Sequence, residues 1–363
     1  MDQSITDRGP LTQDLLPPGF RLRNEKRGSC WQIVRCIGSG GFGVTYEALE
    51  LPRQRRVAVK ELFPRAIVTR AANGITVDVQ GSREVYQKML NSFYKEASVL
   101  STLRDIPSVV TIYDYFYSNN TAYYVMEYID GVTLLKYIES HGKLAPSRVR
   151  TQFIQLMEDV DRLHRCGIIH RDISPDNIMI TGGNRFMLID FGSARSFENE
   201  GPLTVNLKRN FAPLEQYTPT GQGPYTDVYS LAATMYYCFS GGLTPDAFSR
   251  RTSDRLVSPI AMGIPISQRQ ENALLKALSV RREDRYQSMR EFKEAFYGGE
   301  TPSIPRFETI PEVRSAPDPA REKQDTSAGQ RIRQSLERLR DRPLSVLAAC
   351  VFVLGAVLVE LLA

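Results

Sequence analysis

His170-Arg171-Asp172-Ile173-Ser174-Pro175-Asp176-Asn177, followed downstream by Asp190-Phe191-Gly192, decides the reading of this chain. The stretch sets a carboxylate, an amide and a second carboxylate in a fixed order. Asp172 has the chemistry of a proton acceptor. Asn177 and Asp190 offer the hard oxygens that a divalent cation prefers. Phosphoryl transfer asks for this set, because it needs positioning and neutralised phosphate charge more than covalent help from protein. Either tripeptide alone recurs by chance; the two in this order and at this separation are specific.

Upstream, Gly38-Ser39-Gly40-Gly41-Phe42-Gly43 is a GxGxxG loop, where missing side chains let backbone N–H groups approach phosphate oxygens. A dinucleotide-binding βαβ unit shows the same spacing, but it wants a helix next. Here Val44-Thr45-Tyr46 continues as strand, and a second strand, Val57-Ala58-Val59, ends in Lys60. A lysine that clamps phosphates needs a carboxylate to orient it. Glu96 is the candidate, in the helical run Phe93 to Leu100 whose buried face is marked by Phe93, Ala97 and Leu100; Glu84 is the competitor.

With these motifs in view, the chain from about Trp31 to Phe296 resembles a eukaryotic-type serine/threonine protein kinase of the bacterial branch. The resemblance rests on the motifs above and on Lys60-Glu61-Leu62-Phe63-Pro64 and Phe211-Ala212-Pro213-Leu214-Glu215-Gln216-Tyr217. It implies an α+β, bilobal protein-kinase fold with a small β-rich N-lobe and a larger helical C-lobe, ATP and Mg²⁺ lying between them. It implies a hinge at Val125 to Gly131, with Met126 as gatekeeper and the backbone of Glu127 to Ile129 meeting adenine. Ile37, Gly38, Ser39, Gly40, Gly41, Phe42, Gly43, Val44, Thr45, Ala58 and Met179 would complete the nucleotide site, with Lys60 and Glu96 at the phosphates. Asp172 would take the substrate proton, while Asn177 and Asp190 would hold Mg²⁺. Glu215, Arg285 and Asp227 would brace the fold. Thr204 stands where the family's main phosphosite lies, and Arg171, preceding the catalytic Asp, is of the kind that pairs with such a phosphate; Ser193 and Ser196 are weaker candidates. Tyrosine specificity is disfavoured, because no arginine lies between Asp172 and Asn177.

Three positions depart from the family pattern: Thr45 for the valine over adenine, Leu214 for the proline before Glu215, and Ser174 for the lysine after the catalytic Asp. Lys208 stands where the family has a threonine near that Asp, so the two residue types look exchanged. Lys208 is therefore a fourth catalytic candidate, beside Asp172, Lys60 and Asn177. The rival reading is a catalytically weak pseudokinase scaffold in signalling.

Composition is ordinary for globular chains, with 42% hydrophobic and 24% charged residues over 363. A net charge of +5 is mild, and no nucleic-acid partner is expected. The 5 cysteines form no CxxC pair, so neither a disulfide framework nor structural zinc is expected. His164 reads as a packed core residue. Residues 1–29 read as an N-terminal extension without a signal-peptide core, and residues 30–297 as the kinase domain. Within it, Ala66 to Thr69 and Ile75 to Val79 flank Asn73-Gly74 as an inserted hairpin. A helix from Val149 to Leu163 ends before Gly167.

Residues 298–342 form a Pro-rich, charged linker. Residues 343–363 are apolar except for Ser345 and Glu360, long enough for a transmembrane helix at about 1.5 Å per residue. The arginines before that stretch put the kinase domain on the cytoplasmic side. The expected arrangement is a single-pass cell-membrane kinase acting on protein substrates, with self-association for trans-autophosphorylation. The chain is then tail-anchored or part of something longer.

Overall fold

The computed structural model describes residues 12–103, 105–192, 195–196, 207–218 and 220–298. The linker beyond Gly298, the apolar C-terminal stretch, Thr204 and Ser193 lie outside these. Among the described residues no helix is long and apolar enough to cross a membrane.

The N-lobe is built on β1 (Arg21–Asn24), β2 (Ser29–Ser39), β3 (Gly43–Glu50), β4 (Arg55–Leu62), a hairpin of β5 (Val68–Arg70) and β6 (Val77–Val79), helix α1 (Arg83–Leu100), and β7 (Ile112–Ser118) with β8 (Thr121–Glu127). Six strands form one antiparallel sheet in the order β1-β2-β3-β4-β8-β7. Helix α1 starts at Ser82, whose hydroxyl caps Val85 N, and it buries Leu90, Phe93, Ala97 and Leu100. Those positions recur at helical spacing and make one apolar face. Phe93 stacks on Tyr124 of the sheet at 4.9 Å.

Two features differ from the sequence reading. Residues 21–24 are not extension but the sheet's first strand, with Leu22 and Asn24 turned inward. Asn24 Nδ2 donates to Asp114 Oδ2 at 3.0 Å, tying β1 to the far edge strand. The inserted hairpin is present but turns more widely than a two-residue Asn-Gly loop. Asn73 Oδ1 accepts from Ile75 N and Thr76 N at 2.9 Å, so a side chain replaces part of the ladder. Arg70 anchors the hairpin by donating to both carboxylate oxygens of Glu61 at 2.8 Å and to Asp14 O, with its guanidinium over the Phe63 ring. Both charges are buried.

The C-lobe follows β9 (Gly131–Thr133) and α2 (Leu134–His141) with α3 (Arg150–Arg165), β10 (Ile168–Ile169), β11 (Ile178–Thr181), β12 (Phe186–Leu188), β13 (Arg195–Ser196), α4 (Pro224–Ser240), α5 (Ala247–Arg250), α6 (Gln268–Ala277) and α7 (Met289–Tyr297). Helix α3 buries Phe153, Leu156, Met157, Val160 and Leu163 and ends where Gly167 takes a φ of +76°. That turn aims the chain into β10 and the loop carrying Asp172. Helix α4 is buried nearly throughout and is the axis of the lobe.

Candidate functional site

Sheet parity chooses the cleft-facing side chains. Lys60 lies opposite Thr45 on β3 and Tyr124 on β8, and Ala58 lies opposite Met126. Gly38 lies opposite Thr45 in turn. Since cross-strand partners share a face, Gly38, Thr45, Ala58, Lys60, Tyr124 and Met126 line one surface. Ser39 and Val44 pair with each other and Val44 pairs with Glu61, so their side chains fall on the opposite face. Val44 is fully buried there. These two can therefore line a nucleotide site through their backbones. Ile37 sits at the irregularity between Cys36 and Gly38, partly exposed.

The glycine loop closes with Gly40 N donating to Gly43 O at 3.0 Å. A Cβ on Gly43 would stand 2.6 Å from Glu61 O, so no other residue fits without moving β4. At the hinge, Glu127 N donates to Thr111 O at 2.9 Å, which removes that donor from the set expected to meet adenine. Met179, on β11, pairs with Thr133.

Asp172 stands on a loop braced from beneath. The buried Asp227 carboxylate accepts His170 N and Arg171 N, each at 2.8 Å, and lies 2.8 Å from His164 Nε2. It thereby holds Arg171 at a φ of +69°, a conformation non-glycine residues seldom adopt. His164, expected to be a packed core residue, is buried and belongs to this brace. Asn177 Nδ2 donates to Asp172 Oδ2 at 2.7 Å and to Asp172 O at 2.9 Å. Burial raises the Asp172 carboxyl to about 6, Lys208 pulling it down and Asp190 pushing it up. His170 falls to about 4, chiefly through burial, and is neutral at pH 7.

Lys60 Nζ meets Asp190 Oδ1 at 2.5 Å, across the cleft. Burial is the largest single influence and disfavours the Lys60 ammonium, but Asp190, Tyr124 and Glu96 together outweigh it and the pKa rises well above the usual lysine value. The same contact holds the Asp190 carboxyl down to about 2. The expected Lys60–Glu96 pair is not formed. Glu96 Oε1 is buried with no hydrogen-bond partner, and burial raises its carboxyl to about 7 despite the nearby Lys60. Asp190, half-exposed at a φ of +62°, has taken the ammonium instead.

Asn177 commits its amide nitrogen to Asp172, which leaves its amide oxygen for a cation. Together with the Asp190 carboxylate this is a hard-oxygen pair of the kind Mg²⁺ takes beside phosphates and water. Lys208 Nζ lies 2.8 Å from Ser174 Oγ, 3.2 Å from Asp172 Oδ1 and 2.8 Å from Asp176 Oδ2. Asp176 was missed in the sequence, where an acidic loop residue reads as solvated. Tyr124 was missed too, although period-2 alternation places it beneath Lys60. Behind the loop, Glu215 and Arg285 form a buried two-pronged pair at 2.7 and 3.1 Å, and Gln216 Nε2 donates to Arg171 O at 2.5 Å.

Comparison with known proteins identifies the family. Residues 31–272 match the protein kinase domain model. The serine/threonine-protein kinase D of Synechocystis sp. is 32% identical over 77% of this chain and 55% of its own length. PknA of Nostoc sp. is 29% identical over 74% of this chain and 47% of its own, and PknB of Mycobacterium tuberculosis 28% over 78% and 46%. The chain thus spans about half the length of these curated relatives. The solved structure of the PpkA-294 apo form superposes with a TM-score of 0.67 at 29% identity, covering 78% of this chain and 99% of that one. The chain belongs to the protein kinase domain family, on its bacterial serine/threonine branch.

Proposed function

We propose that this chain transfers the γ-phosphate of ATP to serine and threonine hydroxyls of proteins, itself included, while anchored to the cell membrane by residues 343–363. One observation carries the chemistry. The Asp172 carboxylate is fixed by Asn177 beside a facing Lys60–Asp190 pair, so a proton acceptor, two cation ligands and a phosphate clamp converge. The substrate hydroxyl donates to Asp172 and its oxygen bonds the γ-phosphorus. The bond from that phosphorus to the β,γ-bridging oxygen breaks, ADP leaves, and the proton passes to Asp172. Lys60 steadies the α- and β-phosphates. Asn177 and Asp190 would hold Mg²⁺, which would supply neutralisation of the phosphate charge. The membrane reading is supported by the apolar run and the arginines preceding it.

Mass spectrometry of the purified protein after incubation with Mg²⁺-ATP tests the activity. Phosphoserine or phosphothreonine should form, and Asp172→Asn and Lys60→Met should each abolish it, Lys60→Met also weakening ATP binding. Undiminished phosphorylation in either variant would sink the assignment. Stabilisation by Mg²⁺-ATP without transfer to any protein would favour the scaffold reading. Release of the protein from membranes by alkaline carbonate would refute the anchor.

A further inference from the structure

Lys208 reaches the catalytic loop from outside it. It belongs to the segment 207–218, downstream of Gly192, yet its ammonium contacts three oxygens of the loop that carries Asp172. A lysine that merely sought solvent would not hold Ser174, Asp172 and Asp176 together. Nor is its backbone loose. Lys208 O accepts from Phe211 N at 2.7 Å and Ala212 N at 2.9 Å, closing a turn. Asn210 Nδ2 donates to Thr244 O at 2.7 Å, and Thr244 Oγ1 donates back to Asn210 O. The turn is thus docked on the C-lobe with its lysine directed at the proton acceptor.

The position has a chemical meaning. Asp172 receives the proton of the attacking hydroxyl, so the phosphoryl group must arrive about 3 Å from that hydroxyl oxygen. An ammonium 3.2 Å from Asp172 Oδ1 stands where the equatorial phosphoryl oxygens gather charge. Within the catalytic loop, Ser174 supplies a hydroxyl and no cation.

We infer that Lys208 is the cation that meets the transferring phosphoryl group, so that docking of the turn from Lys208 to Ala212, and not the catalytic loop alone, completes this active site. The inference rests on the kinase reading above. It makes transfer conditional on the docked turn: withdrawing the segment withdraws a catalytic charge, whereas a lysine on the loop would stay. Asp176 holds the ammonium in register until the phosphoryl group competes for it.

The test compares four variants of the full chain, with casein as a generic acceptor and nucleotide binding measured separately. Lys208→Ala should lower kcat by roughly 10²-fold, as for loss of one preorganised stabiliser, and leave KM for ATP nearly unchanged. The exchange Ser174→Lys with Lys208→Thr should recover most of that loss. Asn210→Ala, which loosens the turn, should lower kcat by up to about tenfold in the parental chain, the worth of one net hydrogen bond. In the exchange background the same change should cost little. Lys208→Ala at the parental rate overturns the inference, and so does a loss that the exchange fails to recover. Equal costs of Asn210→Ala in both backgrounds overturn the dependence on the segment. A parental chain that binds Mg²⁺-ATP but transfers nothing fails the kinase reading itself, and this inference with it.

Discussion

Mild acid should silence the enzyme by protonating Asp172, without unfolding it. With Asp172 as the proposed proton acceptor, transfer needs its carboxylate ionised, and burial has raised that group to about 6. Its ionised fraction then climbs from about 0.1 at pH 5 to about 0.9 at pH 7, so kcat/KM should drop about tenfold between pH 7 and pH 5. Stability runs the other way. A carboxyl raised by the fold contributes stability that is full below the unfolded carboxylate range and is lost as pH rises through about 6. Asp190, lowered to about 2, gives up its share only below the usual carboxylate range. The fold should therefore hold at pH 5 while activity falls, which circular dichroism beside the rate assay will separate.

Two variants sharpen this test. Glu96 also titrates in the window, near 7, through burial. Glu96→Gln removes that contribution and should leave a limb with its midpoint near 6. Lys208 pulls Asp172 down, so Lys208→Ala should move the midpoint to higher pH, by about 0.7 unit if the partly exposed pair is worth about 1 kcal/mol. A rate independent of pH from 5 to 7 in Glu96→Gln, or a midpoint unmoved in Lys208→Ala, would refute the assignment of Asp172.

Two further predictions concern the supports of the site. Asp227→Asn replaces a charged acceptor of three donors by an amide that must turn its NH₂ toward one of them. It should cost about 2–4 kcal/mol in urea unfolding and lower kcat, since Arg171 loses its brace; an unchanged unfolding midpoint counts against it. Arg70→Ala leaves the buried Glu61 carboxylate to the Tyr46 and Tyr123 hydroxyls alone. The expected destabilisation is about 3–5 kcal/mol, and Glu61→Gln in the same chain should recover part of it; a loss below about 1 kcal/mol would show the hairpin anchor to be dispensable.

The bilobal fold and the positions of Lys60, Asp172, Asn177 and Asp190 were legible because glycine spacing, strand parity and loop order are local properties of a chain. Whatever depended on a choice between distant partners was not. Nothing local says whether Lys60 bonds Glu96 or Asp190, since both carboxylates are remote in sequence; geometry across the cleft decides for Asp190. Alternation from Lys60 through Thr45 sets the side chains of Val44 and Ser39 on the other face, which leaves their backbones to the cleft. Strand β1 was invisible because Arg-Leu-Arg-Asn offers one apolar residue in four, and it is the Asn24–Asp114 bond that holds it to the opposite edge.

Lys208 shows where such legibility begins again. Its identity was odd only beside Ser174, and the two oddities cancel in space, an ammonium and a hydroxyl lying 2.8 Å apart beside one carboxylate. An active site constrains the charge delivered to a point, not the stretch of chain that delivers it. Two mismatches against a family pattern are therefore more informative than one when each supplies the group the other lacks. On the inference drawn for Lys208, that pairing moves a cation from the catalytic loop to the turn that docks on it.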